Sequence, residues 1–121
     1  MEIKLMLTGE TPSKKNSRIN TRSGRSFPNK RYTNWHKHAK SEILQQIQTV
    51  PMFEDSCSLN IVFFHGDLRR RDSDNMVSSI LDLLVDSKII SDDNWQIIRR
   101  IEVDNFYDKN NPRCCVLVKT I

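Results

Sequence analysis

Two closely spaced acidic residues follow a run of arginines in the middle of the chain. The segment from Arg69 to Asn75 reads RRRDSDN, so Asp72 and Asp74 stand two positions apart. In an extended segment, side chains at positions i and i+2 project to the same side, about 7 Å apart along the backbone. Carboxylate oxygens are hard ligands, and Mg²⁺ usually takes only a few of them, which leaves coordination positions for water and phosphate oxygens. The pattern therefore indicates a Mg²⁺ site.

A second acidic pair, Asp92 and Asp93, precedes the next apolar segment. An intervening helix over residues 75–87 would span about 20 Å, and a return of the chain against a sheet would permit the two pairs to converge. A divalent ion held there would polarise a phosphate and lower the pKa of a bound water. We therefore predict metal-assisted phosphodiester hydrolysis, with Mn²⁺ as a substitute for Mg²⁺.

The same acids are also residue types that cap helices. Asp74 could cap a helix that begins near Asn75, and Asp92 or Asp93 could cap the next one. Spacing alone leaves capping and catalysis equally open. The arginines beside the acids favour catalysis, because a nuclease needs cations to bring phosphate close to carboxylates.

Positive charge is concentrated towards the N-terminus. Residues 11–40 carry nine Lys or Arg and no Asp or Glu, whereas residues 72–108 carry nine acids and three basic residues. Residues 8–33 are rich in Gly, Pro, Ser, Thr and Asn, which is typical of a loop. We expect this long basic loop to close over an anionic ligand; the alternative is a solvated, disordered segment.

Strands and helices that could position these groups follow from the hydrophobic pattern. We predict strands at residues 2–7, 57–65, about 97–106 and 113–121, helices at about 34–48 and 75–87, and a turn or short helix after Ser91. This order predicts a single α+β domain over residues 1–121, with a mixed sheet of about four strands packed with two or three helices. The residues expected to be buried are Ile3, Leu5 and Leu7 in the first strand, Trp35, Ala39, Ile43, Leu44 and Ile47 in the first helix, and Val77, Ile80, Leu81, Leu84 and Val85 in the second.

Composition excludes several classes of protein. The 121 residues are 37% hydrophobic and 28% charged, as in a globular domain. No apolar run approaches the roughly 20 residues that cross a bilayer, and the N-terminus lacks a signal-peptide pattern, so we expect a cytoplasmic protein. The three cysteines form no CxxC pair, which argues against a zinc site and against a disulfide framework.

The motifs together resemble the RusA family of Holliday junction resolvases. RRRDSDN, the helix ILDLLVDSKII and the following SDD are similar to that family's basic stretch, DxDN, D-x-L helix and DD pair. PSKKNSR resembles its N-terminal basic loop, and YTNWHKHAK resembles the start of its first helix. The resemblance implies a RusA-like fold and a homodimeric, Mg²⁺-dependent enzyme that cuts symmetrically related strands of branched DNA, as in small resolvases of phages and other mobile elements.

The resemblance also assigns roles to individual residues. Asp72, Asp74 and Asp93 match the catalytic, metal-binding acids, and Asp92 is an adjacent support. Ser78 departs from the pattern, because family members usually carry a lysine one helical turn after the second aspartate; Arg99, Arg100 or Lys88 would have to supply that charge. The implied DNA contacts are Ser13, Lys14, Lys15, Asn16, Arg18, Arg69, Arg70 and Arg71.

Two other functions fit the residues. The first is a catalytically impaired, branched-DNA-binding protein, which would show salt-sensitive binding without cleavage. The second is an RNA-binding regulatory module that stacks bases on Phe27, Tyr32 and Trp35. For Trp35, packing in the core is the favoured alternative.

Overall fold

The computed structural model describes residues 1–13, 18–20, 26–28, 30–47 and 52–121, with only the backbone described for 18–20 and 26–28. Its elements, in chain order, are β1 (Glu2–Thr8), β2 (Arg18–Asn20), β3 (Ser26–Pro28), α1 (Lys30–Gln46), β4 (Cys57–His65), α2 (Ser73–Asp86), β5 (Ile98–Tyr107) and β6 (Arg113–Thr120). The predicted α+β domain with a mixed sheet is confirmed. The predicted basic loop contains a two-stranded pair, β2 and β3, and the segment after Ser91 is a turn rather than a helix.

The main sheet has four strands in the order β1-β6-β4-β5. β6 pairs antiparallel with both β1 and β4, whereas β4 and β5 are parallel. β1, β4 and β5 therefore run in the same direction and terminate at one end of the sheet, which we call the carboxyl end. α2 is the crossover between the parallel strands β4 and β5, so it starts at the carboxyl end and returns the chain towards the opposite end.

The core lies between one face of this sheet and the two helices. Ile3, Leu5 and Leu7 of β1 are all buried, as their alternation predicts. The largest fully buried side chains come from both layers and include Leu7, Ile43, Leu59, Ile61, Phe63, Ile80 and Leu83. The three cysteines are free, and Cys57 and Cys114 are buried. Among the described residues, no helix is long and apolar enough to cross a membrane.

Helix α1 begins earlier than its sequence pattern predicts. Its first residue is Lys30, and Thr33 lies inside the helix, where its hydroxyl donates to the Lys30 carbonyl at 3.2 Å. Tyr32 and Trp35 are buried, with ring centroids 6.0 Å apart, so the core role favoured for Trp35 is confirmed. The predicted burial of Leu44 is wrong, because it lies about 100° around the helix from buried Ile43 and is 62% exposed.

The buried stripe of α2 also differs from the predicted one. Ile80 and Leu84 are buried as expected, and Leu83 joins them. Val77 and Leu81, which the hydrophobic pattern places in the core, are only partly buried at its margin, as is Val85. The single chain therefore leaves an apolar flank of α2 incompletely covered.

Candidate active site

Asp72 and Asp74 lie where the chain enters α2 at the carboxyl end of the sheet. Asp72 occupies the N-cap position in an extended conformation, and its side chain makes no capping hydrogen bond. Asn75 and Met76 point into the protein, and their backbone N–H groups donate to the Asp72 carbonyl at 3.2 and 3.4 Å. Both aspartate side chains are exposed, and no hydrogen bond or ion pair reaches either carboxylate from the described residues. They are therefore accessible to a cation from solvent.

The local backbone differs from the extended DxD segment expected from spacing. α2 begins at Ser73, so Asp74 stands in its first turn rather than in front of it. The partial positive charge at a helix N-terminus favours an anionic side chain in this position. Neither acid caps α2 through its side chain, so capping does not account for the pair.

The second pair, Asp92 and Asp93, forms part of the turn before β5. One Asp92 carboxylate oxygen accepts the backbone N–H of Asp93 and the other accepts the side-chain amide of Asn94, both at 2.8 Å. These hydrogen bonds, led by that from Asn94, lower the pKa of Asp92. Asp92 thus serves as a local cap of the turn, and Asp93 stands beside it, exposed.

The two acidic pairs do not converge within one chain. Ser73 lies 3.5 Å from Asn105, near the end of β5, whereas Asp93 precedes Asn94, whose carbonyl accepts the N–H of Ile98 at the start of β5. Ile98 and Asn105 are separated by about 23 Å along the strand, and α2 spans about 20 Å between the two regions. Among the described residues, no group of three or more His, Cys, Asp or Glu could hold a metal ion. One chain therefore presents two separate parts of the predicted metal site.

The arginine stretch divides into outward and inward members. Arg69 and Arg70 are exposed, as expected for residues that contact phosphate. Arg71 is only 17% exposed, and its guanidinium pairs with Glu10 at 3.2 Å and with Asp67 at 2.8 Å. The hydrogen bond from Arg71 is the main reason that the pKa of Asp67 falls to about 2. Arg71 thus holds the connection between β4 and α2 in place.

Glu10 is a residue whose role the sequence did not suggest. Its carboxylate contacts the His65 ring at 2.8 Å and Arg71 at 3.2 Å, and it accepts the Gly66 N–H at 3.1 Å. The other ring nitrogen of His65 lies 2.9 Å from the side-chain oxygen of Asn105. This network connects Glu10, which follows β1, and His65, the last residue of β4, to Asn105 of β5. Knowledge of the strand order would have revealed this role of Glu10, because strands that run in the same direction bring their carboxyl ends together. The sequence alone does not fix the strand order.

The basic loop starts beside the same end of α2. Ser79 of α2 donates its hydroxyl to the Pro12 carbonyl at 2.7 Å, and Ser13 follows directly. Lys14, Lys15 and Asn16 lie outside the described residues, and for Arg18 only the backbone, in β2, is described. The predicted loop contacts with DNA therefore remain predictions, while the root of the loop is fixed next to Asp72 and Asp74 through Glu10 and Ser79.

Ser78 is exposed one turn after Asp74, where the family pattern has a lysine. Arg99 stacks 5.9 Å from the Trp95 ring, and Arg100 pairs with Glu102 at 3.2 Å, both near the start of β5. Lys88 follows the C-terminal end of α2 with a positive φ of 60°. Within one chain, all three basic residues are thus at the far end of α2 or β5 from Asp74.

A cleft between α1 and the C-terminal half of α2 contains Asp93 together with Asp82 and Asp86. Asp86 accepts from His36 at 2.7 Å and from Lys40 at 3.3 Å, and these contacts lower its pKa. Asp86 is therefore paired locally with Lys40, and His36 is its second hydrogen-bonding partner.

Comparison with known proteins identifies relatives of this chain. The family model of endodeoxyribonuclease RusA matches residues 9–119. The crossover junction endodeoxyribonuclease RusA of Aquifex aeolicus (strain VF5) is 31% identical over 93 residues, which cover 77% of this chain and 73% of that protein. The residues matched by the family model include Glu10, Asp72, Asp74 and Asp93.

Proposed function

Since this chain belongs to the RusA family of endodeoxyribonucleases, we propose that it resolves four-way DNA junctions by Mg²⁺-assisted hydrolysis of the phosphodiester backbone. The proposal rests on the residues that surround the N-terminus of α2. Exposed Asp72 and Asp74 stand next to exposed Arg69 and Arg70, at the end of the sheet where the basic loop is rooted. Cations that attract phosphate thus lie directly beside carboxylates that can bind a metal.

The side chains present fit a magnesium ion. Asp72, Asp74 and Asp93 offer only hard carboxylate oxygens, all exposed to solvent. When bound there, Mg²⁺ supplies charge that polarises the scissile phosphate and lowers the pKa of a bound water. Mn²⁺ prefers similar ligands and would substitute for it.

The remaining residues position the DNA and the acids. Arg69 and Arg70, with Ser13, Lys14, Lys15, Asn16 and Arg18 of the basic loop, would contact the phosphates. Arg71 and Glu10 would fix the backbone that carries Asp72. Arg71 pairs with Glu10, which follows β1, and with Asp67, which follows β4, and Glu10 also accepts the N–H of Gly66. Asp92 would support Asp93 by closing the turn that presents it.

The proposed enzyme is a homodimer, and the separation of the acids supports this part of the proposal. Asp93 is on the order of 20 Å from Asp72 and Asp74 in one chain, too far for a shared ion. In a two-fold dimer, Asp93 of one copy can lie beside Asp72 and Asp74 of the other, which creates two equivalent sites. Two equivalent sites suit a four-way junction, because symmetrically related strands must be cut.

The test is cleavage of a labelled synthetic four-way junction and of a matching linear duplex, each with Mg²⁺ and with a chelator. Wild-type protein should cut only the junction and only with the metal. Asp74→Asn should abolish cutting and preserve or improve affinity, since removal of a negative charge lessens repulsion of phosphate. Asp55→Asn, at an exposed acid before β4, is the matched control and should cut like wild type.

Three results would contradict the proposal: junction cleavage by Asp74→Asn at the wild-type rate, equal cleavage of the linear duplex, and metal-independent cleavage. Each would show that the acids at the start of α2 do not form the site of a junction-specific, metal-dependent reaction.

A second candidate function is junction binding without efficient cleavage. Ser78 favours this second function, because it is uncharged. The family pattern has a lysine at this position, one turn after Asp74, where its charge would lie near the phosphate. Tight binding with no cutting, together with cutting restored by Ser78→Lys, would identify this case. The RNA-binding alternative loses its support from Tyr32 and Trp35, since both rings are buried in the core.

A further inference from the structure

We propose that Trp95 and Arg99 bind one unpaired nucleotide next to the branch point of the DNA, with its base stacked on the indole ring and its phosphate held by the guanidinium. Trp95 is then a specificity-determining residue, because it selects branched DNA over linear duplex. This inference rests on the proposed function, since it assigns recognition of the branch point to residues beside Asp93.

Trp95 presents its ring to solvent. The chain contains two tryptophans, of which Trp35 is 9% exposed in the core and Trp95 is 71% exposed. Tryptophan is highly buried on average, so an indole ring in solvent is unusual. Asn94 and Gln96, on either side of Trp95, are polar and exposed. The ring therefore stands in a polar stretch rather than in the apolar patch that marks a contact between proteins.

The turn that carries Trp95 is held from both sides. The side-chain oxygen of Asn94 accepts the N–H of Gln96 at 2.9 Å, and its amide donates to Asp92 at 2.8 Å. Ser56 donates its hydroxyl to the Gln96 carbonyl at 3.2 Å. The backbone of the turn is thus ordered before any ligand arrives, which lowers the entropic cost of binding.

Arg99 lies against one face of the indole ring. Its guanidinium carbon is 5.9 Å from the ring centroid, within the range of a cation–π contact. In the part of the chain that the structure describes, Arg99 is the one ring partner of Trp95, and no carboxylate pairs with it, whereas Arg100 pairs with Glu102 at 3.2 Å. The opposite face of the ring is therefore available to a base, and the charge of Arg99 is available to a phosphate.

The distance from Asp93 to Trp95 is short enough for a neighbouring nucleotide. Trp95 follows Asp93 by two residues, so their Cα atoms are at most about 7 Å apart. Successive phosphates of one DNA strand are separated by about 3.4 Å along the helix axis. A phosphate held by a metal at Asp93 therefore has a neighbouring base within reach of the indole ring.

A branch point supplies the base that this surface requires. In a linear duplex each base is paired and stacked on both sides, and its removal from the stack costs free energy. At a branch point the next base pair belongs to another arm, so this cost is lower. Stacking on an aromatic ring offsets the remaining cost, and it tolerates any base because every base has a π-face. Trp95 thus favours branched DNA over linear duplex without a strict sequence requirement.

The first test compares the affinities of a labelled four-way junction and a linear duplex by fluorescence anisotropy, with a chelator present so that neither DNA is cut. Trp95→Ala should weaken junction binding by about 5- to 150-fold, the range for loss of one stacked base, and leave duplex binding unchanged. Trp95→Phe should retain most of the affinity, because it keeps an aromatic ring. Met6→Ala, at a 47% exposed residue of the opposite edge strand, is the matched control and should bind like wild type.

The salt dependence separates the roles of the two side chains. Arg99→Gln should lower the slope of log K against log salt for the junction by about 1, because it removes one phosphate contact. Trp95→Ala should leave this slope unchanged, since stacking releases no counterions. An unchanged slope in Arg99→Gln would remove Arg99 from the proposed surface.

Photo-cross-linking detects the contact directly. Junctions with iodouracil at the nucleotides that flank the branch point should, on irradiation, attach to the tryptic peptide of residues 89–99, with Trp95 as the modified residue. Trp95→Ala should lose this adduct while circular dichroism shows that it is folded. Adducts confined to other peptides would contradict the inference.

Several results would overturn the inference. Unchanged junction binding by Trp95→Ala, an equal loss for junction and duplex, and a wild-type protein with no preference for the junction would each do so. A lower mass of Trp95→Ala than of wild type in sedimentation equilibrium would also overturn it, because the ring would then belong to a contact between proteins.

The inference and the proposed function can fail separately. A wild-type protein that binds junctions through Trp95 but does not cut them with Mg²⁺ would refute the proposed cleavage and leave this inference intact. A protein that cuts junctions, and whose Trp95→Ala variant binds and cuts them equally well, would refute this inference alone.

Discussion

Replacement of Arg71 by glutamine should destabilise the fold without weakening the electrostatic part of DNA binding. Although it belongs to the arginine stretch, the side chain is 17% exposed and makes ion pairs with Glu10 and Asp67, as well as a hydrogen bond to the Arg69 carbonyl at 3.2 Å. Its charge is therefore directed towards the protein.

The size of the effect follows from these contacts. The pair with Asp67 is exposed on the aspartate side, so solvent screens it and it adds little to the stability. The pair with Glu10 is largely shielded, and a hydrogen bond to a charged group contributes about 1.5 to 3 kcal/mol. Glu10 keeps its contacts with His65 and Gly66, which limits the loss. We expect a decrease of about 2 kcal/mol in the free energy of unfolding, or roughly 8 °C in Tm for a domain of this size.

The assay combines urea unfolding with fluorescence anisotropy of a labelled junction at several salt concentrations. Arg70→Gln is the matched control, since Arg70 is exposed. It should leave the stability unchanged and reduce the slope of log K against log salt by about 1. Arg71→Gln should show the reverse, and NMR titration should find the pKa of Asp67 raised from about 2 towards its ordinary value. Unchanged stability in Arg71→Gln together with a lower salt slope would refute the inward role of this arginine.

Three further results are expected. Ser78→Lys should raise the single-turnover rate of junction cleavage by about 10-fold or more, because it places a positive charge one turn from Asp74; an unchanged rate would show that no charge is missing there. Double replacement of Lys14 and Lys15 by glutamine should lower the salt slope of binding by about 1 to 2, and an unaltered slope would exclude them as phosphate contacts. Burial, with Asp82 and Asp86 adding to it, raises the pKa of Tyr32 to about 12 from 10.0, so the unfolded chain ionises first and stability should fall as pH rises from about 10 to 12. The stability of Tyr32→Phe, measured by urea unfolding, should fall less steeply over that range. A pH dependence identical to that of wild type would contradict the raised pKa of Tyr32.

Much of the fold could be predicted because local patterns report burial directly. Alternation at Ile3, Leu5 and Leu7 identified β1, and the apolar run at Cys57–His65 identified β4 with its bounds. The DxDN motif located the start of α2 within two residues. Helix starts were less accurate, since polar residues such as Thr33 are compatible with both a cap and a first turn.

The sequence by itself determined which residues are the candidates for the chemistry, namely carboxylates for a metal and arginines for phosphate, and it contains the pattern that places the chain in its family. Only the tertiary structure decided where their side chains point. Arg69 and Arg70 project outward and Arg71 inward because Glu10, 61 positions earlier, lies at the same end of the sheet. The structure also separated Asp93 from Asp72 and Asp74, since a parallel crossover must carry the chain from one end of the sheet to the other. Contacts between residues distant in sequence depend on strand order, and strand order is set by the packing of the whole core rather than by any local segment.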